Sequence, residues 1–255
     1  MPMKILLKIR YDGTNYCGYQ VQPNGVSIQQ RLNEAAKNVF GYDCDIVGCS
    51  RTDSGVHANE FCATVSEKGK GDLVTAIPVE RVPFAMTAHL PADISVFDAM
   101  WVPDAFHARY DVKEKEYIYR IYNCPIRNPF EEGRSYHVPV RLDDEALERM
   151  QKAAATFCGT WDFAAYMAQG SSVKSTVRTV KRSEVVRQGD VIVYRVAADG
   201  FLYNMVRILA GTVLAVGQGK LTVHDVRCIT ESKDRTMAGS TLPACGLYLN
   251  RVIYE

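Results

Sequence analysis

Apolar and polar residues alternate from Lys4 to Tyr11. Ile5, Leu7, Ile9 and Tyr11 fall on one face, and Lys4, Lys8 and Arg10 on the other with Leu6, which predicts a strand. A polar loop, Asp12-Gly13-Thr14-Asn15, follows. Ser27-Ile28-Gln29-Gln30 then reads as a capping box, in which the serine hydroxyl accepts from the third backbone N–H and Gln30 reaches back. Ile28, Leu32, Ala35, Ala36 and Val39 recur at helical spacing behind it. Short strands are expected near Cys44 to Val47 and Glu60 to Val65, with a loop between them. A helix is expected around Leu73 to Met86, bent or broken by Pro78 and Pro83. Ile94 to Val102 reads as another strand, as does Glu116 to Tyr122, where Tyr117, Tyr119 and Ile121 share a side.

The second half repeats the theme. Asp143 caps a helix with an apolar face of Leu147, Met150, Ala154 and Phe157, and Gly159 is its expected stop. Arg178 to Arg187 and Val191 to Ala198 form a hairpin through Gln188-Gly189-Asp190. A helix covers Asn204 to Val216, Thr222 caps another, and Gly246 to Ile253 closes the sheet. Two strand–helix–strand–strand sets predict two related α/β halves, residues 1–108 and 109–255, although no repeat shows at the level of individual letters.

Composition adds limits rather than direction. The 255 residues suit one large domain or two modest ones, and an apolar share of 47% is ample for a core. A formal net charge of +1 carries no nucleic-acid signal, so an RNA partner needs basic residues gathered on one face. Lys174, Arg178, Lys181, Arg182 and Arg187 are either such a phosphate-binding strip or a solvated strand face. The eight cysteines form no C-x-x-C pair and read as small buried hydrophobes in a reducing cytosol. The five histidines lack zinc-ligand spacing, so a metal is not expected. The start of the chain lacks a signal-peptide pattern, and the run Ile208 to Val216 is too short to span a bilayer. A cytoplasmic protein with no membrane partner is expected.

The chemistry concentrates in Gly48-Cys49-Ser50-Arg51-Thr52-Asp53-Ser54-Gly55-Val56-His57-Ala58. An arginine, a hydroxyl and a carboxylate follow a predicted strand in quick succession, closed by Ser-Gly. One reading is a tight turn whose aspartate bonds nearby backbone N–H groups. The other is a loop presenting Asp53 to a pocket as nucleophile or base, kept ionised by a cation. Arg207 is a candidate cation, because an arginine among Ile208, Leu209 and Val213 calls for a partner.

The run Arg51 to Ala58 resembles the signature of TruA-type tRNA pseudouridine synthases. Further matches follow in family order: Tyr11 to Gln22, Ser27-Ile28-Gln29, Leu90 to Ile94, Phe106-His107-Ala108-Arg109, Tyr117-Ile118-Tyr119, Phe201 to Arg207 and Gly246 to Leu249. The resemblance implies an α+β fold, with two similar halves forming a mixed, largely antiparallel sheet flanked by helices around a central RNA-binding cleft. It implies isomerisation of uridine to pseudouridine at positions 38 to 40, in the anticodon stem-loop of tRNA, by a homodimer without cofactor or metal. Onto this sequence it carries Asp53 as the catalytic carboxylate, Tyr117 as the stacking aromatic and Arg207 as the aspartate's partner. Arg51 becomes the residue associated with nucleotide flipping, and Leu247 a pocket wall.

The chemistry suits those residue types. The bond from C1′ to N1 breaks, the base turns, and C1′ rejoins through C5. A single carboxylate serves by attacking C1′, by attacking C6, or by removing a sugar proton, and the resemblance does not choose among these routes. Unstacking the base costs a few kcal/mol, of which an aromatic platform recovers roughly 1–3 kcal/mol. Tyr19, Ser50, Thr87 and His89 depart from the family pattern, which bears on RNA-facing detail. A non-catalytic RNA-binding protein or chaperone on the same fold is the alternative. A carboxylate hydrolase is a third reading, but it normally needs paired acids.

Overall fold

The computed structural model describes residues 3–170 and 173–255. The chain divides into two compact units, Met1–Lys113 with Leu249–Glu255, and Glu114–Tyr248.

The first unit opens with strand β1, Met3–Tyr11, whose alternate residues Ile5, Leu7, Ile9 and Tyr11 are all buried. Each such side chain contributes about 1.5–3 kcal/mol of apolar burial. Helix α1, Ile28–Phe40, starts where the Ser27 hydroxyl accepts from the Gln30 N–H. Only half of the expected capping box forms, because the Gln30 side chain donates forward to Glu34 instead. The helix ends at Gly41, whose left-handed backbone (φ 81°) lets its N–H reach the Lys37 carbonyl. Strands β2, Cys44–Gly48, and β3, His57–Glu67, flank the Asp53 loop. The helix expected over 73–86 is cut back by its prolines: a single 3-10 turn at Val79–Arg81 leads into α2, Val82–Ala88. Pro78 caps the 3-10 turn, and Pro83 sits in the first turn of α2, where its missing N–H costs nothing. Strand β4, Ile94–Pro103, completes the run, and α1 and α2 pack against β2 and β4.

The second unit begins with β5, Glu114–Tyr122, and the short β6, Tyr136–His137. Helix α3, Asp144–Ala155, is capped by the Asp143 carboxylate accepting from the Ala146 N–H at 2.7 Å. It stops at Thr156 rather than at Gly159, which opens strand β7, Gly159–Asp162. Its buried face is Ala146, Met150, Ala153 and Ala154, with Leu147 only partly covered. Strands β8, Val177–Gln188, and β9, Val191–Ala198, pair from Gln188 opposite Val191, so Gly189-Asp190 forms a two-residue hairpin turn. Helices α4, Met205–Gly217, and α5, Val223–Ser232, follow, the latter with a complete Thr222/Asp225 capping box. Strand β10, Leu247–Ile253, ends the chain's regular structure.

The first unit orders its strands β4-β1-β3-β10 with β2 also on β3, and the second orders them β5-β9-β8-β7 with β6 on β5. β1 and β2 both pair antiparallel to β3, while β5 and β8 both pair antiparallel to β9. Strand, helix, strand, strand therefore recur with the same pairing in both units. The β5–β6 pair is parallel, which makes the fold a mixed, mostly antiparallel α+β architecture flanked by helices. No helix among the described residues is long and apolar enough to cross a membrane.

Candidate active site

The Asp53 loop, residues 49–56, is held from below by the segment just after β1. The Thr52 hydroxyl shares a buried 2.9 Å hydrogen bond with the Tyr11 hydroxyl, and the Thr52 carbonyl accepts from the Tyr19 N–H at 3.0 Å. Ser54 Oγ donates to the Tyr16 carbonyl at 3.0 Å. The Val56 N–H closes the turn on the Asp53 carbonyl, with Gly55 in the left-handed region at φ 77°. Asp53 is partly buried and Arg51 is exposed, so the loop holds its carboxylate close in and its guanidinium out in solvent.

Two glycines permit this contact. A Cβ on Gly13 would stand 2.0 Å from the Val56 carbonyl oxygen. One on Gly18 would stand 2.6 Å from the Thr52 carbonyl oxygen, at a backbone φ of 106°. His57 is almost fully buried, and its Nδ1 accepts from the Gly13 N–H at 3.0 Å and lies 3.1 Å from Asp12 Oδ1. It therefore braces the loop's exit. Tyr19 lies beneath, stacked on Phe61 with centroids 4.3 Å apart. Burial pushes its hydroxyl pKa far up, and that hydroxyl is without a hydrogen-bond partner among the described residues. The sequence offered a signal for this floor, since Tyr11 to Gln22 matches a family motif. No role for it could be read without the contacts.

The other proposed residues lie in the second unit. Tyr117 is buried on β5, with its ring edge-on to Phe201 at 5.1 Å. Arg207 sits in the first turn of α4, which packs on β5. It is partly buried rather than fully so. Its Nε donates to the Leu242 carbonyl at 2.6 Å and another nitrogen donates to Asn204 Oδ1 at 2.8 Å. Asn204 holds a left-handed backbone at φ 58°, rare outside glycine, and turns its side chain to Arg207 rather than to a helix N–H. Burial raises the Tyr119 hydroxyl pKa, an effect the nearby Arg207 charge opposes. Tyr119 also donates to the Pro243 carbonyl at 2.7 Å, anchoring the segment that leads to the buried Leu247. Phe201 and Asn204 lay inside the matched run Phe201 to Arg207 but were given no role of their own, and Leu242 escaped the sequence reading, because only a tertiary contact ties it to Arg207.

The basic strip of the second unit is largely committed internally. Lys181 pairs with Glu114 at 3.1 Å, and Arg182 with Glu116 at 3.2 Å. Arg187 donates to the Leu142 carbonyl, and Arg178 to the carbonyls of Ser175 and Val177. These residues brace the sheet and its loops. None of the eight cysteines is held in a disulfide; Cys49 and Cys62 are buried, while Cys158 is exposed, contrary to the expectation of a uniformly buried set.

Comparison with known proteins agrees with the motif reading. The family model described as tRNA pseudouridine synthase matches residues 8–111 and 153–255. The chain is 44% identical over 250 residues to the tRNA pseudouridine synthase A of Thermoanaerobacter sp. (strain X514), covering 98% of this chain and 99% of that one. It is 43% identical over 250 residues to the protein of the same name from Caldicellulosiruptor bescii, with the same coverage. The chain belongs to the tRNA pseudouridine synthase family, a class of isomerases. One solved structure, a Cbf5-Nop10-Gar1 complex, overlays at a TM-score of 0.35 with 14% identity, covering 82% of this chain and 53% of that one; a likeness that weak carries no weight.

Proposed function

We propose that this protein converts uridine to pseudouridine at positions 38 to 40, in the anticodon stem-loop of tRNA, with Asp53 as its catalytic carboxylate. The observation that carries the reading is the Asp53 loop itself. Its turn is clamped by Tyr11, Tyr16, Tyr19 and His57, so a partly buried carboxylate is held in one geometry. Rigid presentation of this kind is what a nucleophile or base at a crowded sugar requires.

The work divides between the halves. Residues 1–108 supply Asp53 and Arg51, the latter reaching the RNA to help turn the nucleotide out of its stack. Residues 109–255 supply Tyr117 as the stacking ring, Arg207 as the cation for the carboxylate, and Leu247 as an apolar wall that keeps water from the detached sugar. The C1′–N1 bond breaks, the base turns, and C1′–C5 forms. C5 gives up its hydrogen as a proton and N1 takes one up, so atoms and charge balance without a cofactor. The working form is a homodimer in the cytoplasm.

The test is a map of pseudouridine in tRNA from cells with and without the protein, joined to assays of the Asp53→Ala and Asp53→Asn variants. Both variants should bind tRNA and form no pseudouridine. Normal turnover by Asp53→Ala overturns the assignment of Asp53. Tight tRNA binding by the wild-type protein with no modification anywhere supports the non-catalytic RNA-binding reading instead.

A further inference from the structure

The turn at residues 106–111 lies outside the site described above, and it displays an aromatic ring and a cation to solvent. Tyr110 is 74% exposed, among the most exposed large side chains of the first unit. One side of its ring is covered by the His107 imidazole, with centroids 4.2 Å apart, and the Arg109 guanidinium lies 5.9 Å from the ring centroid. Among the described residues, neither Arg109 nor Tyr110 spends its side chain on a hydrogen bond or an ion pair.

The backbone beneath them is, by contrast, heavily tied down. His107 Nδ1 accepts from the N–H groups of Arg109 at 3.1 Å and Tyr110 at 3.3 Å. The His107 carbonyl accepts from the N–H groups of Tyr110 and Asp111, and the Asp111 carboxylate turns back to take the His107 N–H at 2.8 Å. Ala108 is fully buried and its carbonyl accepts the Tyr254 hydroxyl at 2.8 Å, while Phe106 packs on the Tyr254 ring at 4.9 Å. A turn fixed this firmly gains nothing in folding from leaving a tyrosine in water. Its rigidity does lower the entropic cost of binding something there.

We propose that the His107–Arg109–Tyr110 turn is an RNA contact outside the catalytic site: one unstacked base of the substrate lies on the open face of Tyr110, and an adjacent phosphate pairs with Arg109. The chemistry is that of single-strand recognition, in which an aromatic face accepts any base and a guanidinium neutralises the backbone beside it. The Asp111 carboxylate is turned back onto the His107 N–H, within the turn itself. The proposal rests on the tRNA reading above.

The experiment measures the dissociation constant for an unmodified tRNA transcript across a salt series, together with the single-turnover rate at saturating tRNA. It compares wild type with Tyr110→Ala, Tyr110→Phe and Arg109→Ala. Tyr110→Ala should weaken binding by roughly 5- to 100-fold, whereas Tyr110→Phe keeps the stacking face and stays near wild type. Arg109→Ala should lower the slope of log K against log salt by about 0.7–0.9, the loss of one phosphate contact. The saturated rate should be unchanged throughout. Wild-type affinity in Tyr110→Ala, or a loss confined to the saturated rate, overturns the proposal. So does a change in molecular mass by light scattering, which would make the turn a contact between copies of this chain. A wild-type protein that neither binds nor modifies the transcript sinks the tRNA reading itself, a distinct result.

Discussion

The hydroxyl of Tyr11 and the hydroxyl of Thr52 share a buried hydrogen bond of 2.9 Å, joining the end of the first strand to the residue before Asp53. Both residues are buried, so removing one hydroxyl takes a buried hydrogen bond from the other. Tyr11→Phe or Thr52→Val alone should cost about 1–3 kcal/mol of stability, while the double substitution should recover much of that loss. Urea unfolding of the four proteins gives the cycle. Turnover should fall in both single variants with KM little changed. Additive stabilities across the cycle would show that the two hydroxyls do not work as a pair.

Gly18 makes a sharper test of the loop's seat. Its φ of 106° disfavours any side chain, and a Cβ there would stand 2.6 Å from the Thr52 carbonyl oxygen, a backbone atom that cannot swing away. Gly18→Ala should push the Asp53 turn outward and reduce the rate of pseudouridine formation at saturating tRNA by tenfold or more, in a protein that still folds. Gly41→Ala serves as the control: it too has positive φ, but a Cβ would meet no atom within 4 Å. Equal activity losses in the two variants would attribute the effect to backbone strain alone.

Asn204 couples a strained backbone to Arg207, since it holds φ 58° and gives its side-chain oxygen to the guanidinium at 2.8 Å. Asn204→Gly relieves the backbone and removes that hydrogen bond from the arginine. Thermal stability should stay the same or rise by up to about 1 kcal/mol, while activity falls because the Arg207 head group loses one of its tethers. Melting temperature and turnover measured on the same preparation separate the two effects. An active variant of unchanged kinetics would mean that the Asn204 side chain is not needed to fix the arginine.

Tyr19 lies beneath the Asp53 loop, and its hydroxyl is buried without a partner among the described residues. Tyr19→Phe keeps the ring stacked on Phe61 and removes an oxygen that has lost its water and gained nothing. Stability should rise by about 1 kcal/mol or slightly more. A lower midpoint in chemical denaturation would show that the hydroxyl is paired in solution.

Much of the local structure was legible from residue order alone. The alternation in Lys4 to Tyr11 gave its strand, Ser27, Asp143 and Thr222 gave their helix starts, and Gly189-Asp190 gave its hairpin. These signals lie within a few residues of one another, where side-chain period and a single capping hydroxyl decide the outcome. The proline-rich stretch 73–86 was legible only in part, because the position of each proline, not its presence, sets where the helix begins.

Sequence alone thus determined most of the elements, the family and the aspartate on which the proposed chemistry rests, but not the short strands β6 and β7. Tertiary structure alone decided what holds that aspartate's loop, where Arg207 finds its tethers and which basic side chains are already spent on Glu114 and Glu116. The reason is register. An irregularity between Ile9 and Tyr11 sets Tyr11 opposite Ala58 where β1 meets β3, and its hydroxyl meets Thr52 across 41 positions of chain. No local preference of either residue encodes a meeting that depends on how two strands are aligned.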